Sequence, residues 1–181
     1  MTDVDIKNIV CFIKIADSFD INNLSNKIAD ATYNPSEFEG LSIRYNQPKT
    51  AAIIISNGKI VCTGAKEIKD AKITFNKTID KLNDTGLSIK KDFVIKIDNV
   101  VASVNLYKDL HLSSIAKGLI LKNVSYKPKS FPGLIYKRKH SDAVTILFSS
   151  GKIICTGARS IDEAKNEIKV MKENLSSIGA L

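Results

Sequence analysis

The side chains of this sequence best placed to do chemistry are hydrogen-bonding and cationic ones. Asn8 and Asn99 stand at matched positions in two similar stretches, as do Thr63 and Thr156, each set among aliphatic residues. Cations flank them: Arg44, Lys49, Lys59 and Lys66 in the first stretch, Lys137, Lys152 and Arg159 in the second. Catalytic arrangements do not emerge. No paired carboxylates, no Ser or Cys with a nearby His and no Gly-rich phosphate loop recur in a plausible site. Ser56-Asn57-Gly58-Lys59 is too short for such a loop and reads as a hairpin turn. Cys11, Cys62 and Cys155 form no C-x-x-C pair, which fits small packed hydrophobes in a reducing compartment. His111 and His140 have no second ligand at metal spacing. No enzyme activity, metal or cofactor is expected.

The elements that must position these groups are those of a folded chain. Its 181 residues are 44% hydrophobic, and it has neither the roughly 18 to 20 consecutive apolar residues of a membrane span nor a basic-then-apolar leader. A soluble, non-secreted protein is expected. The net charge of +8 is uneven. Residues 1–93 carry 13 Lys and Arg against 12 Asp and Glu, a net of +1, and residues 94–181 carry 14 against 7, a net of +7. That asymmetry points to a polyanionic partner.

A duplication organises the chain. Tyr33-Asn34-Pro35-Ser36-Glu37-Phe38-Glu39-Gly40-Leu41 recurs as Tyr126-Lys127-Pro128-Lys129-Ser130-Phe131-Pro132-Gly133-Leu134, an offset of 93. The same offset carries Gly58-Lys59-Ile60 onto Gly151-Lys152-Ile153, and Cys62-Thr63-Gly64-Ala65 onto Cys155-Thr156-Gly157-Ala158. Asn8-Ile9-Val10 matches Asn99-Val100-Val101 at an offset of 91. Two copies make a pseudo-symmetric pair, 1–93 and 94–181, and not a solenoid.

Each copy has one pattern. Residues 6–15 alternate as a strand, with Ile9, Cys11, Ile13 and Ile15 on one face and Asn8, Val10, Phe12 and Lys14 on the other. Helical spacing follows over 20–31, then a Tyr-x-Pro loop, then strands near 41–46, 51–56 and 59–64. Ile68, Ala71, Phe75, Ile79 and Leu82 set a long closing helix, ending before Gly86. The second copy closes alike through Ile161, Ala164, Ile168, Met171 and Leu175, opened by a Ser160-x-x-Glu163 capping box. The fold class is α+β: two such units side by side give one antiparallel sheet with the helices on one face.

The helices can cover only one face, yet both are apolar. Ile53, Ile55, Val61 and Thr63 oppose Ala52, Ile54, Ile60 and Cys62, and the second copy leaves Ile146, Phe148, Ile154 and Thr156 over. Such a patch marks an interaction surface, met by a dimer, another domain or a ligand. The recurring Asn and Thr within it and the cations at its rim favour a ligand. In the DNA minor groove A·T pairs offer only acceptors, and phosphates lie alongside.

These residues carry a family resemblance. Asn8-Ile9-Val10, Tyr33-Asn34-Pro35, Phe38, Gly58-Lys59, Val61-Cys62-Thr63-Gly64-Ala65-Lys66, Phe131-Pro132-Gly133-Leu134-Ile135-Tyr136 and Thr156-Gly157-Ala158 resemble the core of the TATA-box-binding protein family over essentially the whole chain. The resemblance implies a saddle: one curved antiparallel sheet, helices on the convex face, and the concave face on a widened minor groove of A·T-rich promoter DNA. It places wedges at Phe38, Ile55, Phe131 and Phe148 and central polar contacts at Asn8, Asn99, Thr63 and Thr156. Val10, Val61, Val101 and Ile154 would pack on sugars and bases, with Ile53 and Ile146 on the same surface, and the rim cations named above would meet phosphates. It also implies transcription factor B and the RNA polymerase machinery as partners, and self-association through the concave face without DNA.

Three departures qualify the match. Ile55 stands where the family has phenylalanine, implying a weaker kink there. Ser141-Asp142 replaces the Pro48-Lys49 pair, with Arg138, Lys139 and His140 near enough to compensate. The partner-facing loop reads Lys127-Pro128-Lys129-Ser130 where the family presents glutamates, so transcription factor B would need an acidic surface. These departures leave open a divergent paralogue that recruits partners with weak promoter preference. The chain begins near its first strand, which favours an archaeal source and a cytoplasmic location; a eukaryotic member would be nuclear. The unequal copies are expected to orient the protein on its promoter.

Overall fold

A computed structural model describes residues 3–119 and 123–181 of the chain. The chain divides into two compact units, Asn8–Asp98 and a second built on Asn99–Leu181. In the first unit β1 (Asp5–Lys14, entering the unit at Asn8) leads to α1 (Ile21–Lys27), β2 (Ala31–Thr32), β3 (Gly40–Asn46), β4 (Lys49–Ile55), β5 (Lys59–Ala65) and α2 (Ile68–Asp84). The second repeats the order with β6 (Lys96–Asn105), α3 (Leu112–Gly118), β7 (Val124–Ser125), β8 (Leu134–Lys137), β9 (Val144–Leu147), β10 (Lys152–Ala158) and α4 (Ile161–Ser177). Strands run in the order β2-β3-β4-β5-β1 in the first unit and β6-β10-β9-β8-β7 in the second, paired antiparallel. Among the described residues no helix is long and apolar enough to cross a membrane.

The period-2 pattern expected from the sequence holds on β1, β4 and β5 up to the Thr63–Gly64 segment, whereas on β6 Ala102, Ser103 and Val104 are buried in succession. Ile9, Cys11, Ile13, Ala52, Ile54, Ile60 and Cys62 are fully buried, while Val10, Phe12, Ile53, Ile55 and Val61 are half-buried. α2 supplies the cover through Ala71, Phe75, Ile79 and Leu82, which recur every three or four residues and are fully buried. Each large apolar side chain so placed contributes roughly 1.5–3 kcal/mol. α4 does the same in the second unit with Ala164, Ile168, Met171 and Leu175.

The helices begin and end for local reasons. The Asp20 carboxylate accepts from Asn23 N–H at 3.0 Å and starts α1. α1 stops at Lys27, short of the expected residue 31, because Ile28 turns extended and Ala31 must pair with Ile43. A variant of the capping box forms at α4: Glu163 N–H donates to Oγ of the cap residue Ser160 at 3.0 Å, and the Glu163 carboxylate reaches one residue past the cap to accept from Arg159 N–H at 2.6 Å.

The buried polar groups differ between the copies. Tyr45 O–H shares a 2.9 Å hydrogen bond with Thr78 Oγ1, and Thr50 and Thr74 share one of 2.7 Å. At the offset of 93, Tyr45 and Thr74 become Arg138 and Glu167, an ion pair at 2.6 Å whose carboxylate is 1% exposed. The three cysteines are fully buried. The Cys11 thiol is pushed up by its hydrogen bond with Cys62 and by burial, and burial pushes Cys155 up to about 11, so both are neutral, inert thiols.

Candidate nucleic-acid interface

Among the described residues no helix packs on the second face of either sheet, and the sequence-selected residues collect there. In the first unit Arg44, Ala51 and Thr63 lie opposite one another across β3, β4 and β5, and Ser42, Ile53, Val61 and Phe12 form the next row. Asn8 and Val10 continue that face on β1, and Ile55 stands opposite Gly40. In the second unit Lys137, Val144 and Thr156 form the corresponding row, beside Ile135, Ile146, Ile154 and Ser103. Asn99 and Val101 are half-buried on β6, as is Phe148 just past β9.

A β-bulge fixes the polar groups. Between Ile9 and Cys11 on β1 the partners on β5 run from Ala65 to Cys62, so two residues, Thr63 and Gly64, oppose one, Val10. The extra length brings Gly64 N–H onto Asn8 Oδ1 at 2.7 Å, and Asn8 Nδ2 donates to Thr63 Oγ1 at 3.3 Å. The carbonyl of the amide is thereby committed to the backbone. The remaining amide proton and the threonine hydroxyl proton are the donors left for a ligand. The second copy bulges likewise between Cys155 and Ala158, and Gly157 N–H donates to Asn99 Oδ1 at 2.7 Å. Gly64 has φ +89 and Gly157 φ +83, and a Cβ would meet the Lys49 carbonyl at 3.0 Å or the Asp142 carbonyl at 2.9 Å. Glycine is required at both.

The aromatic rings rest on bare backbone. A Cβ on Gly40 would stand 2.2 Å from Phe38 Cε1, and one on Gly133 would stand 2.7 Å from Phe131 Cε1. Phe131 also meets Phe148 edge-on, with centroids 6.1 Å apart. Phe38 has Ile55 and no ring in that position, and it is 52% exposed against 37% for Phe131. The structure thus brings Phe38 together with the Ile53–Ile55 strand, and Phe131 with Phe148.

The cations sit around these faces. Arg44, Lys49, Lys66, Lys137, Lys152 and Arg159 are exposed, and Lys59 is half-buried. Lys137, Arg138, Lys139, His140 and Arg159 line one open hollow with Asp142 and Glu163. Arg138 is drawn inward to Glu167, so among the groups named as compensating for Asp142 it already has a structural task. The loop with Lys127, Lys129 and Ser130 is exposed and tightly turned, with Ser130 and Phe131 N–H groups both donating to the Lys127 carbonyl at 2.9 Å. Among the described residues no cluster of three His, Cys, Asp or Glu could hold a metal ion.

Comparison with known proteins gives this arrangement its relatives. The family model described as transcription factor TFIID, or TATA-binding protein, matches twice, over residues 3–85 and 94–178. The chain belongs to the TATA-box-binding protein family, in its archaeal branch. It is similar to the TATA-box-binding protein of Methanothermobacter thermautotrophicus, 42% identical over 180 residues with 98% of each chain covered. That of Archaeoglobus fulgidus is 36% identical over 178 residues, covering 98% of this chain and 97% of its own. The solved Methanococcus jannaschii TBP matches with a TM-score of 0.85 at 35% identity, over 97% of this chain and 99% of that one. The chain therefore has the fold of the TATA-box-binding proteins.

Several residues that shape this face were not singled out by sequence reasoning. Gly40, Gly133, Gly64 and Gly157 seat the rings and lock the amides, whereas Phe12 and Lys14, already read from the alternation on the face of Asn8 and Val10, extend it along β1. A signal for the glycines was present, since each recurs at the offset of 93 beside a residue already selected.

Proposed function

We propose that this TATA-box-binding protein homologue is a transcription initiation factor that binds the TATA-box element across the minor groove, bends it, and nucleates assembly with transcription factor B and RNA polymerase. One observation carries the reading: in each copy a glycine N–H holds an asparagine amide so that donors, amid aliphatic side chains, are what the face offers. A·T pairs present only acceptors in the minor groove, whereas G·C adds the guanine amino donor. Donor against donor leaves a buried group unpaired, at about 1–3 kcal/mol. The names of the relatives support the same element.

Val10, Ile53, Val61, Val101, Ile146 and Ile154 take the sugar and base edges, and Phe38, Ile55, Phe131 and Phe148 enter base steps. TATA-box-binding proteins are themselves a standing example of minor-groove proteins that kink DNA with apolar wedges, at a general cost of about a few kcal/mol per unstacked step. Arg44, Lys49, Lys59, Lys66, Lys137, Lys152 and Arg159 serve the phosphates. The Lys127–Ser130 loop meets an acidic surface of transcription factor B. Without DNA the uncovered faces favour self-association. The protein is non-enzymatic and works in the cytoplasm.

The test is fluorescence-detected binding and bending of an A·T-rich TATA duplex against a G·C-rich duplex of equal length. The A·T-rich duplex is expected to bind about tenfold tighter or more, and Phe131→Ala with Phe148→Ala to reduce both affinity and bend. Equal binding to the two duplexes, unchanged by the double substitution, sinks the promoter reading in favour of a partner-recruiting paralogue.

A further inference from the structure

The uncovered face of the first unit carries a group that the second lacks. On β1 and β5 Phe12 stands opposite Val61, and Lys14 directly opposite Lys59. At the offset of 91 the counterparts of Phe12 and Lys14 are Ser103 and Asn105, and Asn105 stands opposite Lys152. Ser103 is 5% exposed, whereas Phe12 is half-buried and Lys14 exposed. Two lysines directly across an antiparallel ladder repel one another. The Lys59 ammonium is laid on the Phe12 ring, 4.7 Å from its centroid, a contact that offsets part of that repulsion.

A third lysine completes the site. Lys14, Lys59 and Lys96 line one hollow of about 560 Å³ with Phe12, Phe93 and the carboxylate of Asp92, so three positive charges meet one negative, a net of +2. Phe93 is pinned edge-on to buried Phe75 at 5.8 Å, which ties this wall to the core. A doubled lysine with an aromatic floor is unfavourable empty and favourable around an anion that carries an apolar group.

We propose that this hollow is a backbone clamp: a phosphate of bound duplex seats between Lys14 and Lys59 with Lys96 beside it, and the adjoining deoxyribose packs on Phe12. The occupant is DNA backbone because Phe12 and Lys14 continue the β1 face of Asn8 and Val10, four and six residues beyond Asn8, roughly 13 and 20 Å along the strand. That reach leads from base edges out to the sugar–phosphate chain. The clamp rests on the proposed function for its ligand, DNA, but not for any sequence preference.

The experiment is fluorescence anisotropy of the full chain with labelled A·T-rich and G·C-rich duplexes across a salt series. Phe12→Ser, which copies the second unit, is expected to weaken binding to both duplexes about threefold or more. Lys14→Gln is expected to reduce the magnitude of the log–log salt slope by about 0.9, the mark of one lost phosphate contact. Lys14 is exposed, so its variant should melt with the wild-type chain. Loss of preference between the duplexes strikes the promoter reading, whereas the clamp is read from wild type against variant on either duplex. If both folded variants keep wild-type affinity and slope, the clamp is overturned.

Discussion

At the scale of single residues, the rings proposed as wedges depend on what is missing beneath them. Phe131 lies over Gly133, where a Cβ would stand 2.7 Å from the ring, 2.7 Å from Ile146 Cγ2 and 3.3 Å from Phe148 Cε1. Gly133→Ala must therefore tilt Phe131 and break its edge contact with Phe148. Phe131 is 37% exposed and little core packing is at stake, so stability should change by less than about 1 kcal/mol. Binding to the TATA duplex should fall about tenfold, a cost on the scale of one lost aromatic contact. Parallel melting and binding curves check this: equal loss in both would make the glycine a folding residue and not a seat. The asparagines work by a similar economy. The 2.7 Å bonds from Gly64 and Gly157 use the amide oxygen, so the orientation of each donor group is set by backbone and not by the ligand.

At the scale of elements, the two long helices begin differently. Ser160 caps α4 with a 3.0 Å hydrogen bond from Glu163 N–H, whereas Glu67 makes no side-chain cap at the start of α2. Ser160→Ala should cost about 1 kcal/mol; a denaturation midpoint unchanged by the substitution would show that Glu163 alone holds that end. Element order was legible in the sequence wherever burial imposed a period. The alternation through Ile9, Cys11 and Ile13, and the three-and-four spacing through Ala71, Phe75 and Ile79, each record one covered face. The two-residue strands at Ala31 and Val124 were not legible, because they are too short to show a period and exist only by pairing with β3 and β8. The bulges were hidden for a related reason: an extra residue in β5 or β10 breaks alternation just where the Thr-Gly pair sits. Phe12 was read as a residue of the second face, but its partnership with Lys59 is a cross-strand fact that one strand cannot reveal.

At the scale of the whole molecule, duplication preserved a backbone and let its buried chemistry drift. The Tyr45–Thr78 and Thr50–Thr74 hydrogen bonds of one copy are replaced in the other by Arg138 against Glu167. The ion pair sets Arg138 against a buried carboxylate already counted in the formal net of +7 over residues 94–181, so the charge offered to a polyanion there rests on the other cations. The first half, near neutral by count, sets Lys14 and Lys59 in one hollow together with Lys96, which the count assigns to the second half. Charge tallies and charge placement thus point in different directions, and only placement bears on how DNA is gripped. The half-buried aliphatic residues of each unit, Ile53 and Val61 in one and Ile146 and Ile154 in the other, have a consequence of a thermal kind. Water leaving that surface on complex formation should give a negative heat-capacity change, so that the binding enthalpy grows more negative with each degree of warming. Titration calorimetry at several temperatures would trace that slope. A flat enthalpy would mean that the face remains wet in the complex; a steep one would set a temperature of tightest binding, where the enthalpy passes through zero, with the hold on DNA loosening on either side of it.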